Sequence, residues 1–294
     1  MGGAEMSTKS QKNVGILPLL RILIPVLILA LVYIFAATDV FSSNIMRILL
    51  SMCLYCSMAT MWNLMSGHCG LTSLGQQSFI GLAGYTLAVM TATYGLPYWT
   101  AIIIGGVLAG LLALGMSLVF FRMRGMYFAV ATWITAEALK TIFTSWGFVK
   151  KGAGMTVKLR PYPSTTEIFI LALTLAIVAT LVVHFLLKSR TGLGLSAMGN
   201  DADAASSVGV NIFKSKLICF VVSGFFTGIA GVIFYMNKGS IFPSGGFGID
   251  WTVSIVFIAI IGGVGTFAGP IVGSVIYVLL YEFLSKYPGT SNII

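Results

Sequence analysis

Charge is scarce in this chain. Only 9% of its 294 residues are Asp, Glu, Lys or Arg, while 57% are hydrophobic; soluble domains carry about a quarter charged residues. So little charge excludes a globular enzyme with a solvated surface. Cysteine is sparse too. Cys53, Cys56, Cys69 and Cys219 all lie in or beside apolar segments, which excludes a disulfide framework. Cys53 and Cys56 make a C-x-x-C at helical spacing, with His68 and Cys69 further on. A second ligand pair is lacking, so they read as buried thiols beside an interfacial His, with no metal expected. No GxxxxGK[ST] occurs, and GGVGTFAG at 262–269 lacks both the Lys-Ser/Thr ending and a preceding strand. Nucleotide binding is therefore not expected of this chain. His68 and His184 sit far apart at helix ends, and no nucleophile–base pair or paired carboxylates are visible. Catalysis has no residues to rest on.

Long apolar runs are abundant. They fall at about 19–37, 45–65, 76–93, 98–121, 125–146, 167–187, 215–237, 251–262 and 268–286. A spanning helix takes ~20 apolar residues, so the length allows roughly eight to ten spans. The fold class expected is an all-α polytopic membrane protein with broken or re-entrant segments. Residues 1–18 would be a cytoplasmic tail and 19–294 a single transmembrane domain. The first run is too long for a signal-peptide core and lacks a clear cleavage site, so it reads as a retained helix. The 251–262 run is short enough to be half a helix.

The net charge of +9 does not point to nucleic acid, because the basic residues cluster at helix ends. With the N-terminus in the cytoplasm, the 66–75 loop, the Arg122-Met-Arg124 turn and the 188–216 loop fall inside. They carry Arg122, Arg124, Lys188, Arg190, Lys214 and Lys216, as the positive-inside bias expects. The 147–166 loop is an exception: it falls outside yet holds Lys150, Lys151, Lys158 and Arg160, which suits contact with an anionic surface.

Two regions break the apolar pattern, Gly67 to Ser78 and Gly262 to Pro270. Irregular backbone at membrane depth is tolerated only where protein or a water-filled cavity covers it, and paired Gly-interrupted segments point to a pathway built from an internal repeat. Gly70, Gly81 and Tyr85 recur as Gly262, Gly273 and Tyr277 at one offset. The candidate pathway residues are Gln76, Gln77 and Ser78, Tyr85 in the same run, and Glu137, the one clear intramembrane carboxylate. Hydrogen-bonded helix packing is the competing reading for the first three. For Glu137 it is an ion pair with Lys140, three residues on along the helix. Gly224 and Gly228, and likewise Gly269 and Gly273, stand four apart and read as close-packing sites, within the chain or to a partner subunit.

Residues 188–216 form a polar, helix-prone stretch between two apolar helices, suited to presentation to a soluble partner. With NLMSGHCGLTSLGQQSFIGLAGYTLAVM, RGMYFAVATWITAEALK, SRTGLGLSAMGNDADAASSVGVNIFKSKLICFVVSGFFTGIAG and IIGGVGTFAGP in this order and spacing, the chain resembles the inner-membrane permease subunits of ABC importers of the branched-chain amino-acid type. The resemblance runs from about Asn63 to Leu284. It implies that 188–216 is a coupling loop whose Arg190, Gly192, Ala197, Asp203, Ala204, Ala205, Gly209 and Lys216 dock into a groove of a cytoplasmic ATPase. It also implies a second permease, as hetero- or homodimer, and two ATPases that carry the ATP and Mg. A periplasmic or extracellular solute-binding protein and a bacterial cytoplasmic-membrane location complete the set. The implied solute is small and polar, most readily Leu, Ile or Val, moved by alternating access. A sugar, urea, an amide or another amino acid is the alternative. Gly199 and Asn200 stand where amino-acid members commonly carry Arg and acidic residues, a feature closer to the sugar-importing relatives. A self-sufficient secondary transporter, with Glu137 as coupling carboxylate, is the other class to weigh.

Overall fold

The computed structural model describes residues 43–123, 125–189, 192, 194–195 and 211–285. The 19–37 run lies outside the described residues, as do Arg124, Arg190, Ala197, Asp203, Ala204, Ala205 and Gly209. The helices are α1 Ser43–Asn63, α2 Gln76–Ala92, α3 Tyr98–Phe120, α4 Met126–Ser145, α5 Thr165–Lys188, α6 Ile212–Lys238, α7 Pro243–Gly246, α8 Asp250–Gly262 and α9 Gly269–Ser285. The sole sheet among the described residues pairs β1, Met155–Thr156, with β2, Ser240–Ile241, antiparallel. Asn44–His68, Tyr98–Phe120, Thr165–Lys188, Ile212–Lys238 and Pro243–Gly262 are each long and apolar enough to cross a membrane. The chain is an all-α polytopic membrane protein.

Helix starts follow local chemistry. The Ser164 hydroxyl accepts from the Glu167 amide at 3.1 Å and Glu167 accepts back from the Ser164 amide, a capping box that opens α5. Asn211 accepts from the Lys214 amide at 3.0 Å. This cap starts α6 earlier than the apolar run predicts, since it satisfies a first-turn amide whatever the polarity of the side chains there, and Lys214 is exposed. Of the 188–216 stretch, Lys188 therefore belongs to α5, and Lys214 and Lys216 belong to α6.

α6 is the central helix and packs on α1, α2, α3 and α5. Its contact with α3 is built from small residues: Gly105, Ala109 and Ala113 face Gly224 and Gly228, and Gly106 takes Ile229. A Cβ on Gly228 would run into that of Ala109, and one on Gly224 would lie 2.9 Å from that of Ala113. Lipid supplies no hydrophobic drive between helices, so close van der Waals approach between small residues does the work. Gly269 lies against the Gly262 and Gly263 carbonyls, and Gly273 against the Ile258 carbonyl. All four glycines are thus filled from within the chain.

After α6 the chain turns back alongside α2 instead of leaving the bundle. Ile241 packs on Gly84, Phe247 on Gly81, and the Thr252 hydroxyl donates to Gln77 Oε1. Three contacts that run backwards along α2 carry the segment into the bundle by about 10 Å at 1.5 Å per helical residue. The missing side chains of Gly81 and Gly84 make room for it. The 147–166 loop is ordered: Met155, Val157 and Leu159 point inward while Lys158 and Arg160 alternate outward, as on a strand, and the Val157 amide donates to the Gly239 carbonyl at 2.9 Å.

The α3–α6 contact is the test of this packing. Gly228→Leu is expected to lower stability by ~1–3 kcal/mol, the ordinary cost of overpacking, seen as a lower melting temperature in detergent. Gly115→Ala, with nothing within 4 Å, is expected to leave it unchanged.

Candidate functional site

The two broken regions meet. α1 ends in a π-turn, Leu64–His68, and the chain reaches α2 through an irregular stretch. α8 and α9 are likewise joined by a glycine-rich turn, with Gly263 and Gly265 at φ +99° and +80°. Asn63, the last residue of α1, links them: its Nδ2 donates to the Thr266 carbonyl at 2.9 Å and its Oδ1 accepts from the Gly265 amide at 2.7 Å. A Cβ on Gly67 would lie 2.6 Å from the Gly265 nitrogen, so the π-turn and the glycine turn touch backbone to backbone. Both units have the same form, helix, break, 17-residue helix. Gly81 and Tyr85 stand one place further into α2 than Gly273 and Tyr277 into α9.

The first break is satisfied by borrowed partners. Trp62 Nε1 donates to the Ser73 carbonyl at 2.9 Å, and the Leu74 amide donates to Thr132 Oγ1 of α4 at 3.1 Å. Gly75 sits against the Thr132 backbone, where a Cβ would lie 2.8 Å from the carbonyl carbon. α4 therefore covers the irregular backbone.

Gln76, Gln77 and Ser78 are fully buried where α2 begins. Among the described residues, both amide atoms of Gln76, Nε2 of Gln77 and Oγ of Ser78 have no hydrogen-bond partner. The same holds for Ser57 and Thr60 of α1, Tyr85 of α2, and Ser223 and Thr227 of α6. Leaving such a group unmade costs ~1–3 kcal/mol, and the partners it calls for are water or a polar solute. Tyr85 stacks on Phe247 with centroids 6.0 Å apart and lies 4.7 Å from the Phe143 ring, an aromatic plug above the buried glutamines.

Glu137 stands apart from this seam. It pairs with Lys140 at 3.2 Å on α4, and both side chains are more than a third exposed. The expectation of one intramembrane carboxylate is corrected by Asp250. Trp251 packs on Tyr55, ring centroids 6.1 Å apart, and Tyr55 lies about 18 Å into α1, past its midpoint. Asp250 is therefore near mid-depth. The 251–262 run left it in a loop, but a run too short to span implies that the preceding chain dips into the bundle. Asn63 was also missed in sequence, where it reads as an ordinary polar residue at a helix end. Gly192 is described and buried, and Lys216 is half-buried in the second turn of α6, near Cys69 of the first break.

A sequence profile described as the permease component of the branched-chain amino acid transport system matches residues 44–293. The high-affinity branched-chain amino acid transport system permease protein LivM of Escherichia coli is 24% identical over 255 residues, 76% of this chain and 60% of that protein. The chain therefore spans about three fifths of the length of this relative. The L-arabinose ABC transporter permease protein AraH of Azospirillum brasilense is 28% identical over 251 residues, 79% of this chain and 70% of that protein. The xylose transport system permease protein XylH of Haemophilus influenzae is 32% identical over 117 residues, 38% and 31% of the two chains. No solved structure matches the chain.

Asn63→Ala leaves a backbone amide and a carbonyl of the glycine turn unpaired, so a loss of ~1–3 kcal/mol is expected. Asn63→Asp keeps the acceptor and loses the donor, and is expected to fall between. Thermal unfolding of the three chains in detergent gives the order; equal melting temperatures would show that the turn holds without Asn63.

Proposed function

This chain belongs to the family of the permease component of branched-chain amino acid transport systems, and from that premise we propose that it is one permease subunit of an ATP-driven importer in the bacterial cytoplasmic membrane. The observation that carries the reading is the buried seam where two broken helices meet, with unpartnered polar side chains behind an aromatic plug. Such groups suit a closed conformation of an alternating-access path whose other conformation offers them water or a polar solute. The chain would work with a second permease, two ATPases that bind and hydrolyse ATP with Mg, and an external solute-binding protein. Residues 189–211, with Arg190, Ala197, Asp203, Ala204, Ala205 and Gly209, would form the surface the ATPase engages. The proposed orientation puts the α5–α6 linker in the cytoplasm.

The solute we favour is a branched-chain amino acid, since the match to LivM covers 76% of this chain. A pentose is the second reading, favoured by the AraH match over 79% of it and by Gly199 and Asn200.

Affinity purification of the tagged chain from mild detergent, with mass spectrometry of its companions, is expected to recover an ATPase and a second permease. A solitary chain that transports in liposomes on an ion gradient would overturn the importer reading. In the recovered complex, Ala204→Glu or Gly209→Glu is expected to abolish ATP-driven uptake with folding intact. Gln76→Leu removes the two unpartnered atoms of one amide group, so stability should hold or rise. Uptake should fall about tenfold, the worth of one hydrogen bond to solute. Uptake and melting temperature falling together would make Gln76 a packing residue.

A further inference from the structure

Asp250 opens α8 near mid-depth, and a carboxylate there calls for a partner of opposite charge. Among the described residues the one ion pair is Glu137–Lys140, so Asp250 has no cationic partner among them. The α8 dipole offsets part of its charge but supplies no cation. Its side chain is exposed, and it faces a groove of about 300 Å³ between α8 and α9. Asp250, Ser254 and Phe257 line one wall, spaced i, i+4 and i+7 on one face of α8. Tyr277 and Tyr281, spaced i and i+4, line the other wall from α9. The Ser254 and Tyr277 hydroxyls are hydrogen-bonded at 2.7 Å, and the Phe257 and Tyr277 rings meet edge-on at 5.9 Å. The same two tyrosines wall a second cavity of about 510 Å³ that holds Arg47 and Glu282. Both volumes fall in the range of pockets that hold small molecules.

We propose that the groove between α8 and α9 binds a primary ammonium group, with Asp250 as its counter-charge and the rings of Tyr277, Tyr281 and Phe257 as its cation–π wall. A carboxylate among aromatic rings in a low-dielectric setting favours a cation over a neutral polyol, because a neutral ligand leaves the charge uncompensated. The ammonium is that of a free amino acid, since a lipid headgroup stands about 15 Å from mid-depth; the proposal rests on the importer reading and names the part of the solute this chain touches.

The test reads the groove and not ATP coupling. Val253 lines the groove and is 58% exposed. The full chain carrying Val253→Cys is placed in vesicles of phosphatidylcholine alone, which carry no net surface charge; labelling of the native cysteines is subtracted, and each reagent's rate is divided by its rate with a free thiol. The cationic reagent 2-aminoethyl methanethiosulfonate is expected to react about tenfold faster than its anionic sulfonatoethyl counterpart, a focusing effect of one fixed charge in a cleft. Asp250→Asn is expected to abolish that preference and Asp250→Glu to keep it. Equal rates for the two reagents, or a preference that survives Asp250→Asn, overturn the proposal. If Asp250→Asn does not assemble, Tyr281→Leu is expected to cut ligand protection several-fold. Undiminished protection in that chain overturns the aromatic wall.

Protection by leucine, and not by 4-methylvalerate or L-arabinose, assigns the ammonium to the solute. Protection that appears only when phosphatidylethanolamine is added overturns the solute assignment. Equal protection by 4-methylvalerate or arabinose overturns an ammonium site. Recovery or absence of an ATPase leaves all these rates untouched, so the two readings fail separately.

Discussion

The carboxamide of Asn63 joins the two halves of this protein. A bilayer offers no water to unpaired backbone, so every break in a helix needs a partner supplied by protein. The glycine turn between α8 and α9 has an amide and a carbonyl exposed at the point where α1 ends, and one Asn side chain answers both. The substitutes available at that position each fail in one respect. Asp cannot donate, Leu can do neither, and Gln would have to fit one more methylene where Gly67 and Gly265 already touch. The contact therefore sets how α1 stands against α8 and α9, and with it the depth of everything those helices carry.

From that constraint the polar content sorts into two kinds. Glu137 has its counter-ion within the same helix and sits on a face of α4 away from the seam, so its charge is already answered. The amides of Gln76, the hydroxyls of Ser57, Thr60, Ser78, Ser223 and Thr227, and the carboxylate of Asp250 are not answered by described residues. Groups of the first kind stabilise one conformation. Groups of the second kind hold it less firmly, which suits the alternating-access path proposed above. The seam thus combines a rigid joint at Asn63 with a weakly satisfied interior beside it.

Much of the fold was legible because lipid imposes length and apolarity together. The runs at 76–93, 98–121, 125–146 and 167–187 agree with α2 to α5 within two residues at each end. Cap chemistry escaped the apolar pattern, which is why Asn211 starts α6 three residues before 215. The two broken regions were visible from their glycines, but not the fact that they touch. That contact spans about 200 residues of sequence, and one Asn among polar neighbours carries no periodic signal. Asp250 was hidden for a related reason. Hydropathy places a charged residue at the end of an apolar run in the interface, and only the packing of Ile241 and Phe247 into Gly84 and Gly81 shows that the run begins at depth. The pattern of residues reports span against loop well, and reports poorly which loops dip into the bundle.

In the importer proposed above, α6 is the element through which events at the α5–α6 linker would reach the seam. It begins at Ile212, directly after that linker, and runs unbroken for 27 residues, about 40 Å. Its middle carries Ser223 and Thr227, and its small-residue face is seated on Ala109 and Ala113 with no room for a side chain. A close-packed helix of that length does not bend to absorb a push at its end, because overpacked contacts repel sharply. A load at Ile212 is therefore taken up by sliding or tilting of α6 as a body. The Phe121–Phe213 and Phe121–Phe220 ring contacts at 5.6 and 5.8 Å tie its first turns to the end of α3, so the two helices move together. What lies across from that pair is α2, held at Gln77 through Thr252 of α8. The hydroxyls of Ser223 and Thr227 would then shift relative to Gln76 while Asn63 keeps the glycine turn in place, and the seam would open along its unanswered side.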